Sequence, residues 1–178
     1  MIRRPLLPER CLMNKLPLRV AAGALWFAVS GASMAHSSVT MPIEINGTLT
    51  ETPGPSLRCP SKFGGVIIGR GDGALTGPVA FISSDCITQS GTLFTFSAGK
   101  LIILTVAGDQ IFADYSGQFV PTGVGSNFVF SGATFQVTGG TGKFSKASGG
   151  GDMTGAEDIS TGQGTMKLSG RITYKDKN

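Results

Sequence analysis

The chain has 178 residues and a formal net charge of +4, with 15 lysines and arginines against 11 aspartates and glutamates. Five of the basic residues and one acidic residue precede residue 36, so residues 36–178 carry ten of each and no net charge. This balance excludes the basic face that nucleic-acid binding requires.

The N-terminus has the features of a secretory signal. A basic segment ends at Arg19, an apolar run follows at 20–29, and Ser33 and Ala35 place small residues at −3 and −1 of a cleavage site. The run is shorter than the roughly 20 residues that span a bilayer. We expect residues 1–35 to be a signal peptide, and we expect an exported, periplasmic or secreted protein with no transmembrane segment in the mature chain. A start at Met13, which gives a leader of ordinary length, is a second interpretation.

The composition excludes catalytic and metal sites that are built from histidines. His36 is the one histidine, and cleavage after Ala35 makes it the first mature residue. A copper-binding histidine brace needs a second histidine, and neither a catalytic triad nor a multi-histidine zinc site can form. We predict a flexible tail over residues 36–41, with no metal site, no cofactor and no catalytic residues.

Residues 42–178 predict one all-β domain. Short apolar and β-branched runs alternate with glycine-rich breaks, and no long stretch has helical spacing. Ile43, Ile45 and Leu49 share one face of an early strand, and Phe94 and Phe96 mark another.

Two cysteines remain after the leader, which contains Cys11. An even number in an exported chain favours a Cys59–Cys86 disulfide over two buried free thiols.

The segment Ile68-Gly69-Arg70-Gly71-Asp72-Gly73 has three interpretations. It opens no helix, so it does not fit a dinucleotide fingerprint. An Arg-Gly-Asp adhesion tripeptide at a hairpin tip is a match that occurs often by chance. A Gly-Asp-Gly turn is the favoured interpretation.

The stretch Leu101–Val106 is apolar on both faces. A strand there must be covered by the barrel interior on one side and by a loop or a partner subunit on the other. A homo-oligomer formed through this strand is therefore one expectation.

Residues 110–119 alternate, with Ile111, Ala113, Tyr115 and Phe119 on one face. Asp109, Asp114 and Tyr115 are the polar candidates for a pocket. Asp114 and Tyr115 lie on opposite faces, so they cannot both point inward without a bulge.

The apolar phase changes between Phe128 and Val137, which predicts a bulge near Ser131-Gly132. A turn follows at Gly139-Gly140-Thr141-Gly142-Lys143-Phe144. Three glycines in four residues allow positive φ, and the strand pattern is expected to resume at an inward-facing Phe144. We interpret the turn as structural and Lys143 as a solvated charge.

The sequence GGTGKF resembles a signature of the allene oxide cyclase and dirigent-like β-barrels, which recurs in small exported bacterial proteins. The segment 109–117 is similar to those bacterial proteins as well. The resemblance implies an antiparallel up-and-down barrel of about eight strands. Members of the group use acidic or other polar interior residues, but none of these matches a residue here.

The C-terminal part contains an acidic segment and one clear strand. Gly149–Asp152 with Glu157 and Asp158 fits no calcium-loop spacing, so we expect flexible turns with solvated acids. Met166–Tyr174 alternates as a half-buried strand.

Three functions follow from these patterns. The first is a non-catalytic exported barrel that binds a small apolar or aromatic molecule, or a partner. The second is a dirigent- or cyclase-like enzyme acting on a reactive intermediate. The third is a fimbrial-type structural subunit, and the absence of a catalytic residue cluster favours the first.

Overall fold

The barrel is built from eight antiparallel strands joined in chain order, as described for residues 37–175 by a computed structural model. β1 pairs with both β2 and β8, and this pairing closes the sheet. The predicted eight-stranded up-and-down barrel is confirmed. The predicted signal peptide, Cys11 and His36 lie outside the described residues. The strands are β1 Ser38–Pro55, β2 Phe63–Gly73, β3 Gly77–Ser90, β4 Leu93–Thr105, β5 Gln110–Pro121, β6 Asn127–Gly140, β7 Ser148–Asp158 and β8 Gln163–Lys175.

Alternation along each strand builds the core. In β8, Met166, Leu168 and Ile172 are buried while their neighbours face outward. Ile43 and Ile45 of β1 are buried in the same way. Successive side chains of a strand point to opposite faces, so every second residue reaches the barrel interior.

The two ends of the barrel differ. One end, called the mouth below, carries the connections 56–62, 91–92, 122–126 and 159–162. The other end, called the base, carries the connections 74–76, 106–109 and 141–147 together with the start of β1 and the end of β8.

The expected flexible tail at 36–41 is wrong for residues 38–41. β1 begins at Ser38, and Val39 and Met41 pair with Tyr174 and Ile172 of β8. The long strand β8 offers backbone partners there, so these residues join the sheet although few of their side chains are buried.

Two glycine-rich segments were predicted as turns and lie in strands. Arg70, Gly71 and Asp72 belong to β2, and Asp72 pairs with Pro78 of β3, so the turn falls at 74–76 and the tripeptide is not at a hairpin tip. The acidic segment Gly149–Asp158 belongs to β7. Glycine permits a turn but does not force one when both neighbouring strands supply hydrogen bonds.

The predicted bend at Ser131-Gly132 is confirmed. Gly132 has φ +56°, and the β5–β6 pairing shifts register between Ser116 and Gln118. A second irregularity lies in β4, where Ala98 has φ +49° and the pairing with β3 shifts between Ser84 and Cys86. Bulges of this kind bend strands and let a sheet close.

The GGTGKF segment forms part of the base. Gly142–Phe144 is a single 3-10 turn, and the strand resumes at Ser148 rather than at the predicted Phe144. Gly139 and Gly142 have φ +150° and +54°, as expected for at least one of these glycines. Phe144 is fully buried, and its ring packs against Tyr174 at a centroid distance of 5.3 Å. The predicted inward position of Phe144 is therefore confirmed.

The outside of β4 is apolar, as the sequence predicts. Leu101 and Ile103 are buried, whereas Ile102 and Leu104 are exposed on the outer face. A homo-oligomer through this face stays a prediction. Within residues 37–175, no helix is long and apolar enough to cross a membrane.

Candidate functional site

Three acidic side chains meet inside the barrel near the mouth. Glu51 lies near the end of β1, Asp85 near the end of β3 and Glu157 near the end of β7, and all three line one inner cavity. Their exposed fractions are 6%, 3% and 5%. Acidic side chains are almost never this buried without partners, so their contacts decide what the cavity can do.

Asp85 has its partners within the protein. The Tyr115 hydroxyl donates to Asp85 Oδ2 at 3.0 Å and also lies 3.3 Å from the Ser83 hydroxyl. The backbone N–H of Gly65 donates to Asp85 Oδ1 at 3.2 Å. Both carboxylate oxygens are thus satisfied, and the Tyr115 ring is fixed against the cavity wall.

Glu51 is not satisfied in the same way. Its carboxyl lies within hydrogen-bond reach of Glu157, but Oε1 has no hydrogen-bond partner among the described residues. Gly65 lies opposite this oxygen, and a Cβ at that position would collide with the Glu51 side chain. The glycine therefore makes the space that Glu51 occupies.

Burial controls the protonation of this cluster. It raises the pKa of both Glu51 and Glu157, and repulsion from Asp85 raises each further. The pKa of Asp85 is also raised by burial, although the Tyr115 and Gly65 hydrogen bonds oppose that shift. Burial and the Asp85 charge raise the pKa of the Tyr115 phenol, which stays protonated. The glutamate pair thus favours a shared proton over two charges.

The position of Asp85 is fixed from outside the barrel. Its neighbour Cys86 forms a disulfide with Cys59 of the 56–62 connection, with a Cα–Cα distance of 5.2 Å. Arg58 of the same connection donates to the carbonyl oxygen of Ala98 at 2.8 Å and to Ser84 Oγ at 3.3 Å. These contacts hold the 56–62 connection against the strand irregularity beside Asp85. Irregularities of this kind are common next to functional sites.

Two cavities share two of the three acidic residues. The inner cavity has a volume of about 30 Å³, and aromatic rings form much of its wall. A larger chamber of about 150 Å³ leads from it to the mouth and shares Glu51, Phe119 and Glu157 with it. The other residues that line the mouth chamber are Pro53, Phe63, Ile87, Phe94 and Ile159.

The aromatic wall is packed in mutually tilted pairs. Phe96 lies 4.8 Å from Phe119 and 5.7 Å from Phe130 between ring centroids, and Phe119 lies 5.2 Å from Phe130. These geometries stabilise a rigid aromatic cluster beside the carboxyl groups.

The structure separates the residues that the sequence suggested for a pocket. Tyr115 is inside the barrel and belongs to the site. Asp114 is on the outer face, as predicted, and its carboxylate pairs with Lys100 at 2.7 Å. Asp109 lies at the base next to Gly142 and far along the strands from the mouth. The GGTGKF segment is likewise at the base, so it does not line the cavities.

The sequence analysis missed Glu51, Asp85 and Glu157. Glu157 was predicted to be a solvated acid in a turn and is buried in β7. A signal was present in the strand phase. Glu51 lies on the same face of β1 as the buried Ile45 and Leu49, so alternation alone assigns it to the interior.

Within residues 37–175, no group of three or more His, Cys, Asp or Glu side chains has a geometry that could hold a metal ion. No family model, curated protein or solved structure matches the chain.

Proposed function

We propose that this is an exported β-barrel that binds one small apolar or aromatic molecule in the mouth chamber without transforming it. The observation that carries the proposal is the chamber itself, which is about 150 Å³, opens at one end of a closed barrel and has mostly apolar walls. Small closed barrels hold single ligands in this position, and ligand sites combine apolar walls with a few polar groups.

The volume limits the ligand. An engineered apolar cavity of about 150 Å³ binds benzene, so the mouth chamber fits a group of about that size. The inner cavity of about 30 Å³ adds room for one small polar group. A ligand with a ring-sized apolar body and a small head uses both spaces.

Export is supported by two features. The leader has the order of a secretory signal, and the Cys59–Cys86 disulfide is of a kind that persists in oxidising compartments. The resemblance of GGTGKF to a turn of exported bacterial barrels agrees with this assignment.

Toluene tests the chamber. We expect it to bind the purified protein in a calorimetric titration, and we expect Ile159→Trp to abolish binding because the indole fills the mouth chamber. Val124→Trp is the matched control, since Val124 is exposed in another connection of the mouth and does not line the chamber. Equal toluene binding by both variants contradicts the proposal, and so does a native protein that binds neither toluene nor any other benzene-sized probe.

The buried pair Glu51 and Glu157 supports a second candidate function, that of an enzyme. A buried carboxyl that keeps its proton near neutral pH is the group that general acid catalysis needs, and the resemblance to the dirigent and cyclase group suggests an enzyme that acts on a reactive intermediate. The test is hydrolysis of styrene oxide: Glu51 donates its proton to the epoxide oxygen as one C–O bond breaks, water adds to that carbon, and the proton that the water loses returns to the glutamate pair. Turnover that Glu51→Gln abolishes supports an enzyme, whereas a native rate equal to the uncatalysed rate removes this candidate.

The fimbrial alternative loses its physical basis. A pilin-like subunit needs an open sheet edge for a donated strand. Each of the eight described strands already has two neighbours.

A further inference from the structure

Acidic groups inside this barrel have no basic counterpart, and each of them that ionises does so without a buried cation. Glu51, Asp85 and Glu157 are all buried, while no lysine or arginine among residues 37–175 is buried. Arg58 is the cation that acts on Asp85, and it does so from the exposed outside. A buried carboxyl without a cation is costly, so the cavity favours a ligand that brings positive charge.

The unpaired carboxyl oxygen of Glu51 indicates which acidic side chain a ligand's donor group contacts. Asp85 has a partner for each oxygen, whereas the Glu51 carboxyl has an oxygen without a hydrogen-bond partner among the described residues, and its side chain is 94% buried and lines both cavities. A donor that enters from the mouth chamber reaches Glu51 and the neighbouring Glu157 first. Carboxylates accept hydrogen bonds and an ammonium group only donates them, so the two are complementary.

Size and aromatic surroundings restrict the cation. The inner cavity of about 30 Å³ holds a group the size of one or two water molecules, which fits a primary ammonium group but not a trimethylammonium group. Phe96, Phe119 and Phe130 line the same cavity, and aromatic faces attract cations within about 6 Å of the ring centre.

We propose that the barrel binds a small primary amine whose ammonium group is held by the carboxyl groups of Glu51 and Glu157 and whose apolar body fills the mouth chamber. This inference rests on the proposed binding function and names the ligand class. A benzene-sized body joined to the nitrogen by one methylene group fits the two volumes, and an anionic ligand of that shape is repelled by the three acids.

Four probes of one shape test the inference by calorimetric titration of the native, disulfide-bonded protein. They are benzylamine, benzyl alcohol, toluene and benzoate. We expect benzylamine to bind at least about tenfold more tightly than benzyl alcohol, and benzoate not to bind. If benzyl alcohol or toluene binds as tightly as benzylamine, the amine inference is overturned and the chamber proposal stands. If none of the four binds, both proposals fall.

Glu51→Gln separates the charge from the shape. We expect it to weaken benzylamine at least about tenfold more than it weakens benzyl alcohol, because the amide keeps the volume of the carboxyl but not its charge. Glu44→Gln is the matched control, since Glu44 lies on the exposed face of the same strand and pairs with Lys167. Equal loss in both variants, or no loss in Glu51→Gln, overturns the inference. If Glu51→Gln does not fold in circular dichroism, the native probe series decides.

The pH profile gives an independent readout. The groups that face Glu51 are Glu157, Asp85 and Tyr115, and the charges of Arg58 and Asp158 act on them from the rim. Burial raises the pKa of Glu51, so the carboxylate that an ammonium prefers becomes more populated as pH rises. Benzylamine affinity should therefore increase between about pH 5 and about pH 8 while benzyl alcohol affinity does not. A flat benzylamine profile contradicts the inference.

Discussion

Because Glu51 and Glu157 are buried, the number of protons that these two side chains bind differs between the folded barrel and the unfolded chain. Burial raises the pKa of each above 4.5, so the folded state binds more protons than the unfolded chain at intermediate pH. The stability that these groups contribute is fully present below pH 4.5 and is lost as pH rises through their folded pKa values. The loss falls on the alkaline side, opposite to that of an ordinary carboxylate in an ion pair.

The first prediction follows from that sign. The melting temperature of the native protein should fall from about pH 5 to about pH 8, and the fall should be smaller in Glu51→Gln, by an amount equivalent to about 1 kcal/mol or more. Glu44→Gln is the control. The pKa of Glu44 is lowered by the Lys167 hydrogen bond, so its protonation changes below this range. Parallel melting profiles for the native protein and Glu51→Gln would show that the glutamate carries no raised pKa.

For single strands, most of the correct fold predictions came from the alternation of inward-facing and outward-facing residues. Ile43, Ile45 and Leu49 predicted the inward face of β1, and the apolar stretch Leu101–Val106 predicted a strand whose outer face is also apolar. Both succeeded because side-chain alternation is local information. The same phase assigns Glu51 to the interior, but charged residues are so seldom buried that the pattern was not extended to it.

Elements held by backbone pairing were predicted less well. Val39 and Met41 join β1 because β8, distant in the sequence, supplies their hydrogen bonds, and Arg70–Asp72 remains in β2 because β1 and β3 pair with it on both sides. Glycine and polar side chains carry no local signal for that pairing. The acidic cluster was hidden for the same reason, since barrel closure brings Glu51, Asp85 and Glu157 together from three strands.

The base turn gives a prediction about conformation. Gly142→Val should lower the folded yield and the melting temperature because Gly142 has φ +54° and a Cβ there would also meet the Asp109 side chain. The φ strain alone costs about 1–2 kcal/mol. Gly77→Val is the matched control, since Gly77 has φ +64° at the same end of the barrel with open space around it. Gly142→Val should be the less stable of the two, and a native melting temperature for it would refute a structural role.

Lys143 departs from the expected solvated charge. Its Nζ lies 4.9 Å from the Phe144 ring centre and 5.9 Å from that of Tyr174, so it covers two rings at the base. We expect Lys143→Ala to cost about 0.5–1 kcal/mol of stability by chemical denaturation, and Lys146→Ala, an exposed lysine of the same connection, to cost less. Toluene binding should be unchanged in both, because the base is remote from the mouth chamber. Loss of binding in Lys143→Ala would make the turn a functional site.

In the whole molecule, the packing that closes the barrel and the proposed binding site lie at opposite ends. The base is plugged by the fully buried Phe144, which holds the 141–147 connection against Tyr174. The mouth has the cavities, the acidic cluster and the disulfide. Substitutions at the base should therefore change melting without changing affinity, whereas substitutions of residues that line the mouth chamber should change both.

The disulfide joins the two properties at the mouth. Removing it with Cys59→Ser and Cys86→Ser together should lower stability by about 2–5 kcal/mol, since the bond closes a 27-residue separation in the unfolded chain. It should also weaken toluene binding, because the 56–62 connection then holds Asp85 and the chamber wall through Arg58 alone. Reduction of the native protein supplies the internal control: a reductant should bring its melting temperature down to that of the double variant and leave the double variant unchanged. Two free thiols in the unreduced native protein, or a reductant that shifts both proteins equally, would show that the bond does not hold the mouth.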